Sequence, residues 1–426
     1  MSKQQVHIWV TAFALFSLFF GAGNLILPPF LGFNAGSGWA WVTIGFALSA
    51  VIIPIIAIIG HARLQGTMMD FANKISPLFA LIYCILVYLI SIALPAPRTA
   101  SVAYEIAIQP YFDFGSLWFS TIYFVLVLVF VLNRSKILDV VGKYLTPAII
   151  LILLAIIGIG VFADYPDMRP SIFDNTFTSG IIEGYQTFDA IGGVVVGGVI
   201  VISLGFKTES FSAKKEIIAK AGIIAGLGLL LIYGGLILLG ALNSDAVDAE
   251  NRTALVTLLS KNTLGNIGTV FLGVLVSLAC FTTAVGIVTG TADFIKGLFG
   301  QSDFAYKVTA VIGSILGVAV GQFDVHYIID IAVPALMFIY PITIVLILLN
   351  VLNKKWATPM VFRAVVITTI VFSLPDFLST IGFGSEMASI KTKIPLGDVS
   401  MGWLLPSLAV FLVINLINNS IRNKNI

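Results

Sequence analysis

Charge is what this sequence most lacks. Charged residues make up 10% of its 426 positions, 23 basic and 21 acidic, against roughly a quarter in an ordinary soluble domain. So few charges cannot keep the surface of a soluble protein of this length wet, which excludes a cytosolic enzyme and a disordered chain. The net charge of +2 leaves no basic footprint, and no nucleic-acid partner is expected. Cysteine is scarce too. Cys84 and Cys280 sit inside apolar runs and exclude a disulfide scaffold and a Cys-rich metal site; they read as small core hydrophobes. His7, His61 and His326 have no metal-ligand spacing. Phosphate-loop, HExxH and GxSxG patterns are all missing, so neither an ATP-driven pump nor a membrane hydrolase has support, and no enzyme or cofactor is expected.

Hydrophobic residues, in contrast, make up 58%, and mean hydropathy is +1.04. A spanning helix needs about 20 apolar residues. Twelve such runs fall roughly at 8–31, 39–60, 75–104, 116–132, 138–162, 184–206, 217–241, 266–299, 304–322, 326–349, 361–382 and 401–419. Trp9, Trp39, Trp41, Trp118, Trp356 and Trp403 lie at run ends, as interface anchors do. The first run has only Lys3 ahead of it and no small-residue cleavage site, so it reads as a span and not a signal peptide. With the N-terminus in the cytoplasm, 17 of the 23 cationic residues fall inside and five outside (Arg169, Arg252, Lys261, Lys391, Lys393), with Arg98 within a span. That imbalance favours both termini inside and an even number of spans. The expectation is an all-α polytopic membrane protein in the lipid bilayer, one domain over 1–426, with 12 transmembrane helices.

Several runs are interrupted. The first reads FSLFFGAGNLILPP from Phe16 to Pro29. Gly and Pro weaken a helix interior, and free backbone is tolerated at membrane depth only where it is buried in protein or lines a cavity. Either this segment unwinds and offers its N–H and C=O groups to a solute and an ion, or Gly21 and Gly23 serve close packing and the helix ends at Pro28. The sixth run opens GYQTFDAIGGVVVGG and places Asp189 within an apolar stretch; it is a functional carboxylate by default, or a helix cap. Interrupted spans at matching positions of two halves mark an inverted-repeat transporter with a midplane site. The eighth run carries Thr282 and Thr283 near its middle. Adjacent hydroxyls supply hard oxygen ligands to a small cation, or bond back to their own helix. The third run, LPAPRTASVAYE, is kinked by Pro95 and Pro97 and carries Arg98, with Glu105 two turns along the same face. This Arg needs a partner, for which Asp189 and Asp330 are candidates, or a watery cavity; otherwise it snorkels.

LFFGAGNLILPPFLG, PRTASVAYE, GYQTFDAIGG and SLACFTTAVGIVTGTADF together resemble the bacterial branched-chain amino acid:cation symporter family over nearly the whole chain. The resemblance implies Na⁺-driven uptake of leucine, isoleucine and valine across a bacterial cytoplasmic membrane. It also implies a 5+5 inverted repeat, a LeuT-like fold with broken helices 1 and 6 (halves about 8–162 and 184–349) and helices 11 and 12 at about 361–419. Carried over from the neurotransmitter:sodium symporters of that broader fold, the sodium ligands fall on the carbonyls of Ser17, Phe20 and Ala279 and the hydroxyls of Thr282 and Thr283. Asn24 would serve a second sodium site. The substrate's carboxylate would meet the amides of Gly21, Ala22 and Gly23, and its ammonium would meet the sixth-span break at Thr187, Phe188 and Asp189. Phe188, Thr283 and Ile287 would line the aliphatic pocket, and Arg98 with Glu105 would form a gate or structural ion pair. The expected partner is a small amino acid, and the carrier is expected to be a monomer. The same fold moving another amino acid, or using H⁺, stays open; a channel or a transporter-like sensor fits less well.

Overall fold

A computed structural model describes residues 3–64, 66–133, 137–195, 197 and 211–424. Every regular element among them is helical. The first apolar run forms two helices, α1 (Lys3–Phe19) and α2 (Ala22–Ala35). The second forms α3 (Trp39–Ala47), a widened π turn (Leu48–Ile52) and α4 (Ile53–Leu64). A short α5 (Met68–Ala72), capped reciprocally by Thr67 and Asp70, leads to α6 (Pro77–Ala93). Leu94 ends α6, and Pro95 opens α7 (Pro95–Ala107), where the missing proline N–H costs nothing. There follow α8 (Ser116–Asn133), α9 (Ile137–Val161) and α10 (Thr176–Tyr185). A further helix, α11 (189–195), comes after a turn at 186–188; residues 196 and 198–206 of the sixth run lie outside the described residues. Then come α12 (Phe211–Leu242) and α13 (Arg252–Leu298), which bends sharply at Gly265, where φ is 68°. The chain closes with α14 (Asp303–Gly321), α15 (Val325–Val351), α16 (Pro359–Thr380), α17 (Gly384–Lys391) and α18 (Leu404–Lys424).

By length and composition, eight described helical stretches can cross a membrane, and Leu145–Val161 and Leu404–Asn418 are shorter apolar helices. Pro28 does not end the first run: α2 continues through Pro28 and Pro29 to Ala35. The helix stops only at Gly36, whose φ is 48°.

Small residues set how closely the broken segments meet their neighbours. A Cβ on Gly32 of α2 would strike the Ile237 carbonyl of α12, and one on Gly240 of α12 would strike the Pro29 carbonyl. On α10, a Cβ at Gly184 would strike the Ser49 hydroxyl. Ser49 lies in the π turn and donates to the Ile181 carbonyl at 2.8 Å, so the widened turn ties α10 to its neighbour.

Buried side chains form two apolar bodies. One gathers Phe20 and Leu25 of the first run, Tyr233 of α12, and Cys280 and Ala284 of α13. The other gathers Tyr185 and Phe188 at the second break, Ala190 and Ile191 of α11, and Tyr340 of α15. The two helix breaks therefore belong to different bodies. Buried Asn24, Arg98 and Asp189 bridge them through hydrogen bonds.

Candidate functional site

The first break is short, and its geometry decides which carbonyls are free. In a continuous helix the Gly21 amide would bind the Ser17 carbonyl, and the Asn24 amide would bind that of Phe20. Here Gly21 N–H turns to Phe19 O at 3.0 Å, and Asn24 N–H to Gly21 O at 3.1 Å. Gly21 itself is extended (φ −105°, ψ −172°). The carbonyls of Ser17 and Phe20 are thereby released from the helical ladder.

A small cavity of about 10 Å³ lies beside them, lined by Phe16, Ser17 and Phe20 of the first run, Leu145, Thr146 and Ile149 of α9, and Ala279 and Thr282 of α13. That volume suits one water-sized occupant. Four of the five expected cation ligands line it. Both threonines donate to the Ala279 carbonyl, Thr282 at 3.0 Å and Thr283 at 2.9 Å. This is the back-bonding that a helical Thr commonly makes, and it fixes each hydroxyl while leaving its oxygen lone pairs as acceptors. Thr283 faces the break more than the cavity: its Oγ1 is 4.0 Å from where a Gly21 Cβ would stand. None of the lining residues is charged, so the donors the cavity offers are neutral oxygens.

Thr146 was not singled out by the sequence. It precedes Pro147 inside α9, and a Thr-Pro pair within an otherwise unbroken span is the signal that could have found it.

The second break carries the charge. Thr187 Oγ1 donates to Gly184 O at 2.8 Å and accepts from Asp189 N–H at 3.2 Å, so it ends α10 and starts α11 together. Phe188 between them has φ 62°, a strained value for a bulky residue. Asp189 is buried, and its Oδ2 accepts from Asn24 Nδ2 at 2.6 Å and from the Tyr233 hydroxyl at 3.4 Å. Asn24 Nδ2 also donates to the Tyr233 hydroxyl. Tyr233, the only hydroxyl in the run 217–241, is thus a site residue that periodicity alone did not mark. The Ala190 amide donates to the Tyr340 hydroxyl at 3.4 Å.

Arg98 enters from the first turn of α7. It is 4% exposed, which corrects the snorkelling alternative. Its Nη1 donates to the Gln186 carbonyl at 2.8 Å, and the guanidinium lies over the Phe188 ring at 5.3 Å. Its Cζ is 2.9 Å from where a Gly23 Cβ would stand, so the guanidinium fills the space against Gly23. Neither expected carboxylate pairs with it: Asp330 lies 3.6 Å from His326 at the surface, and Asp189 is outside ion-pair distance of 4.0 Å among the described residues. The Arg98–Glu105 pair is not formed either. Glu105 accepts from Thr253 Oγ1 at 2.5 Å and from the Val325 amide at 2.8 Å, and so joins the starts of α13 and α15. Nearby, Arg252 lies 3.6 Å from Glu183 of α10 and over the Phe30 ring of α2. Ile287 is half-buried one turn beyond Thr283, and its carbonyl accepts from Thr291.

The family described as branched-chain amino acid transport protein matches residues 4–421. The chain is 34% identical over 415 residues to the branched-chain amino acid transport system 2 carrier protein of Pseudomonas aeruginosa, covering 94% of each. It is 34% identical over 416 residues to the branched-chain amino acid permease BraB of Bacillus subtilis, covering 94% of this chain and 92% of that one. Among solved structures it resembles the inward-facing conformation of Mhp1 (TM-score 0.60, 11% identity, 98% and 91% covered). It also resembles a Na⁺-coupled sialic acid symporter in a substrate-bound outward-open state (TM-score 0.57, 11% identity, 96% and 90% covered). A third likeness is to MhsT in complex with L-phenylalanine (TM-score 0.55, 14% identity, 98% of each covered). These three likenesses show a shared fold.

Proposed function

The chain belongs to the branched-chain amino acid transport protein family, and from that premise we propose that it takes up leucine, isoleucine and valine together with Na⁺ by alternating access. The observation that carries the reading is the pairing of the two breaks. One releases the Ser17 and Phe20 carbonyls toward a cavity for a single small occupant; the other holds a buried carboxylate against the same broken run. Ser17, Phe20, Ala279 and Thr282 would ligate the cation, with Thr283 between cation and substrate. The substrate's carboxylate would lie toward the start of α2 at Gly21, Ala22 and Gly23, where helix amides carry partial positive charge. Its ammonium would approach Asp189 and Asn24, and its side chain would pack on Phe188, Thr283 and Ile287. One methylene is worth only about 1–3 kcal/mol in an apolar pocket, so selectivity among the three substrates is expected to be loose.

The layout that goes with this reading is twelve spans in a five-plus-five inverted repeat, with halves at about 8–162 and 184–349 and two further helices at about 361–419. Both termini face the cytoplasm of a bacterium, by the excess of Lys and Arg on that side. The polar contacts between the breaks, Asn24 to Asp189 and Arg98 to Gln186, support such a mechanism, since contacts of this kind can be exchanged without unfolding either helix.

A second reading, H⁺ in place of Na⁺, draws on Asp189, a buried carboxylate with a hydroxyl at hand. Uptake of labelled leucine into proteoliposomes separates the two. An inward Na⁺ gradient is expected to drive accumulation, and each coupled charge crossing 100 mV adds about 2.3 kcal/mol, roughly fifty-fold. Uptake driven by a pH gradient alone and indifferent to Na⁺ would replace Na⁺ by H⁺. No accumulation under either gradient would refute the symporter reading.

A further inference from the structure

We infer that Arg98 is the residue that recognises the substrate's carboxylate, an inference that rests on the amino acid carrier reading above. Four observations converge on it. Arg98 is buried at 4% exposure inside a membrane-spanning bundle, where an uncompensated cation is costly. The protein supplies it no anion within ion-pair distance among the described residues: Glu105 is taken up by Thr253 and Val325, and Asp189 by Asn24 and Tyr233. Its Nε–H is buried and has no hydrogen-bond partner. Its remaining contacts orient it, because Nη1 is held by the Gln186 carbonyl and the plane rests on the Phe188 ring.

The geometry also says where the anion goes. A guanidinium binds a carboxylate side-on through Nε and the Nη on the same edge, which is Nη2. Nη1, on the other side, is already used. The Nη2 side lies against Gly23, in the first turn of the 14-residue α2, where helix amides add partial positive charge. A carboxylate alongside the Nε–Nη2 edge, near the start of α2, would complete the Arg98 hydrogen bonds, and the ammonium of the same α-amino acid would be directed to Asp189 on α11. Glycine at position 23 is then required because a Cβ would push the fork away. The ligand class is an α-amino acid with a free carboxylate; the corresponding amide or amine would leave the fork unpaired. Arg169 and Arg252 also have a buried, unpartnered Nε, but Arg252 has a carboxylate at 3.6 Å and neither guanidinium lies against the broken first run at Gly23, as that of Arg98 does.

The test is competition binding to the purified full chain with leucine, leucinamide and 3-methylbutylamine. Wild type is expected to prefer leucine over leucinamide by roughly ten- to a hundred-fold, the range for a hydrogen bond to a charged group. Arg98→Ala should lower leucine affinity to the leucinamide level and leave leucinamide within about twofold of its wild-type affinity. Added guanidinium ion should restore leucine binding to that variant and leave leucinamide binding unmoved. If Arg98→Ala does not hold its fold, Arg98→Lys carries the same test: it keeps a point charge and loses the fork, so the preference should shrink without vanishing. An undiminished preference in either variant overturns the inference, as does a wild type that binds leucinamide as tightly as leucine. A wild type that binds none of the three ligands refutes the carrier reading instead.

Discussion

The broken first run presents two different faces to its neighbours. Toward α9 and α13 it shows carbonyls and hydroxyls around a cavity of about 10 Å³, without a charged residue in the lining. Toward α7 and α11 it shows Asn24 and Gly23, which meet a carboxylate and a guanidinium. A transported cation must be bound well enough to shed water and weakly enough to leave, and neutral oxygens meet that need. A zwitterion, by contrast, is singled out from apolar solutes by opposite charges set apart. On the proposed reading, one interruption of a helix would serve two chemistries because its two sides are paired with different helices.

The comparison can be broken most severely on the charged face. Asp189→Asn keeps the shape that Asn24 and Tyr233 contact and removes the charge. Leucine affinity should fall by roughly a hundred-fold, the upper range for a hydrogen bond to a charged group, while occupancy of the cation site measured without leucine stays close to wild type. Equal loss at both sites would mean that the faces are not separate. Thr283→Ala sharpens the boundary, since Thr283 shares the Ala279 carbonyl with Thr282 yet faces Gly21. It should weaken sodium and leucine binding each by about three- to tenfold. An effect confined to one ligand would move Thr283 wholly to that ligand's side. The smallest effect is expected of Thr146→Val, isosteric and on the far wall of the cavity. Sodium affinity should drop by about two- to threefold, a fraction of one hydrogen bond, with leucine affinity in saturating sodium unchanged. A leucine defect there would contradict the separation of the faces.

Much of this site was legible in the sequence, for physical reasons that differ by residue. Gly21 and Gly23 in an apolar run announce the first break because glycine weakens a helix where lipid offers no compensation. Ser17, Phe20, Ala279 and Thr282 followed from a resemblance, and the cavity gathers them. Asp189 stood out because a carboxylate in a span is costly. What the sequence could not give was partnership across helices. Position along a helix fixes a face, but not which neighbour that face meets. The sequence offers Arg98 three carboxylates, Glu105 on its own helix and Asp189 or Asp330 elsewhere, without choosing between them, whereas its contacts are the Gln186 carbonyl and the Phe188 ring on the second break. Tyr233 looks like an ordinary span residue because no charge lies near it in its run, and Thr146 is marked only by Pro147 beside it. Pro28 looks like a helix end, yet α2 runs on through Pro28 and Pro29 to Ala35, although each ring removes one backbone hydrogen bond.

The central claim is that the cation site and the substrate site share one broken helix and are therefore coupled. Leucine binding to the purified chain across a sodium titration, with choline holding ionic strength constant, tests it most directly. In wild type, sodium should raise leucine affinity, and by reciprocity leucine should raise sodium affinity by the same factor. In Thr282→Ala, which removes a hydroxyl from the cavity lining and leaves the charged face untouched, the sodium midpoint should move up about tenfold, while leucine affinity at saturating sodium returns to the wild-type value. An unchanged midpoint in Thr282→Ala, beside a wild type that responds to sodium, would contradict the account.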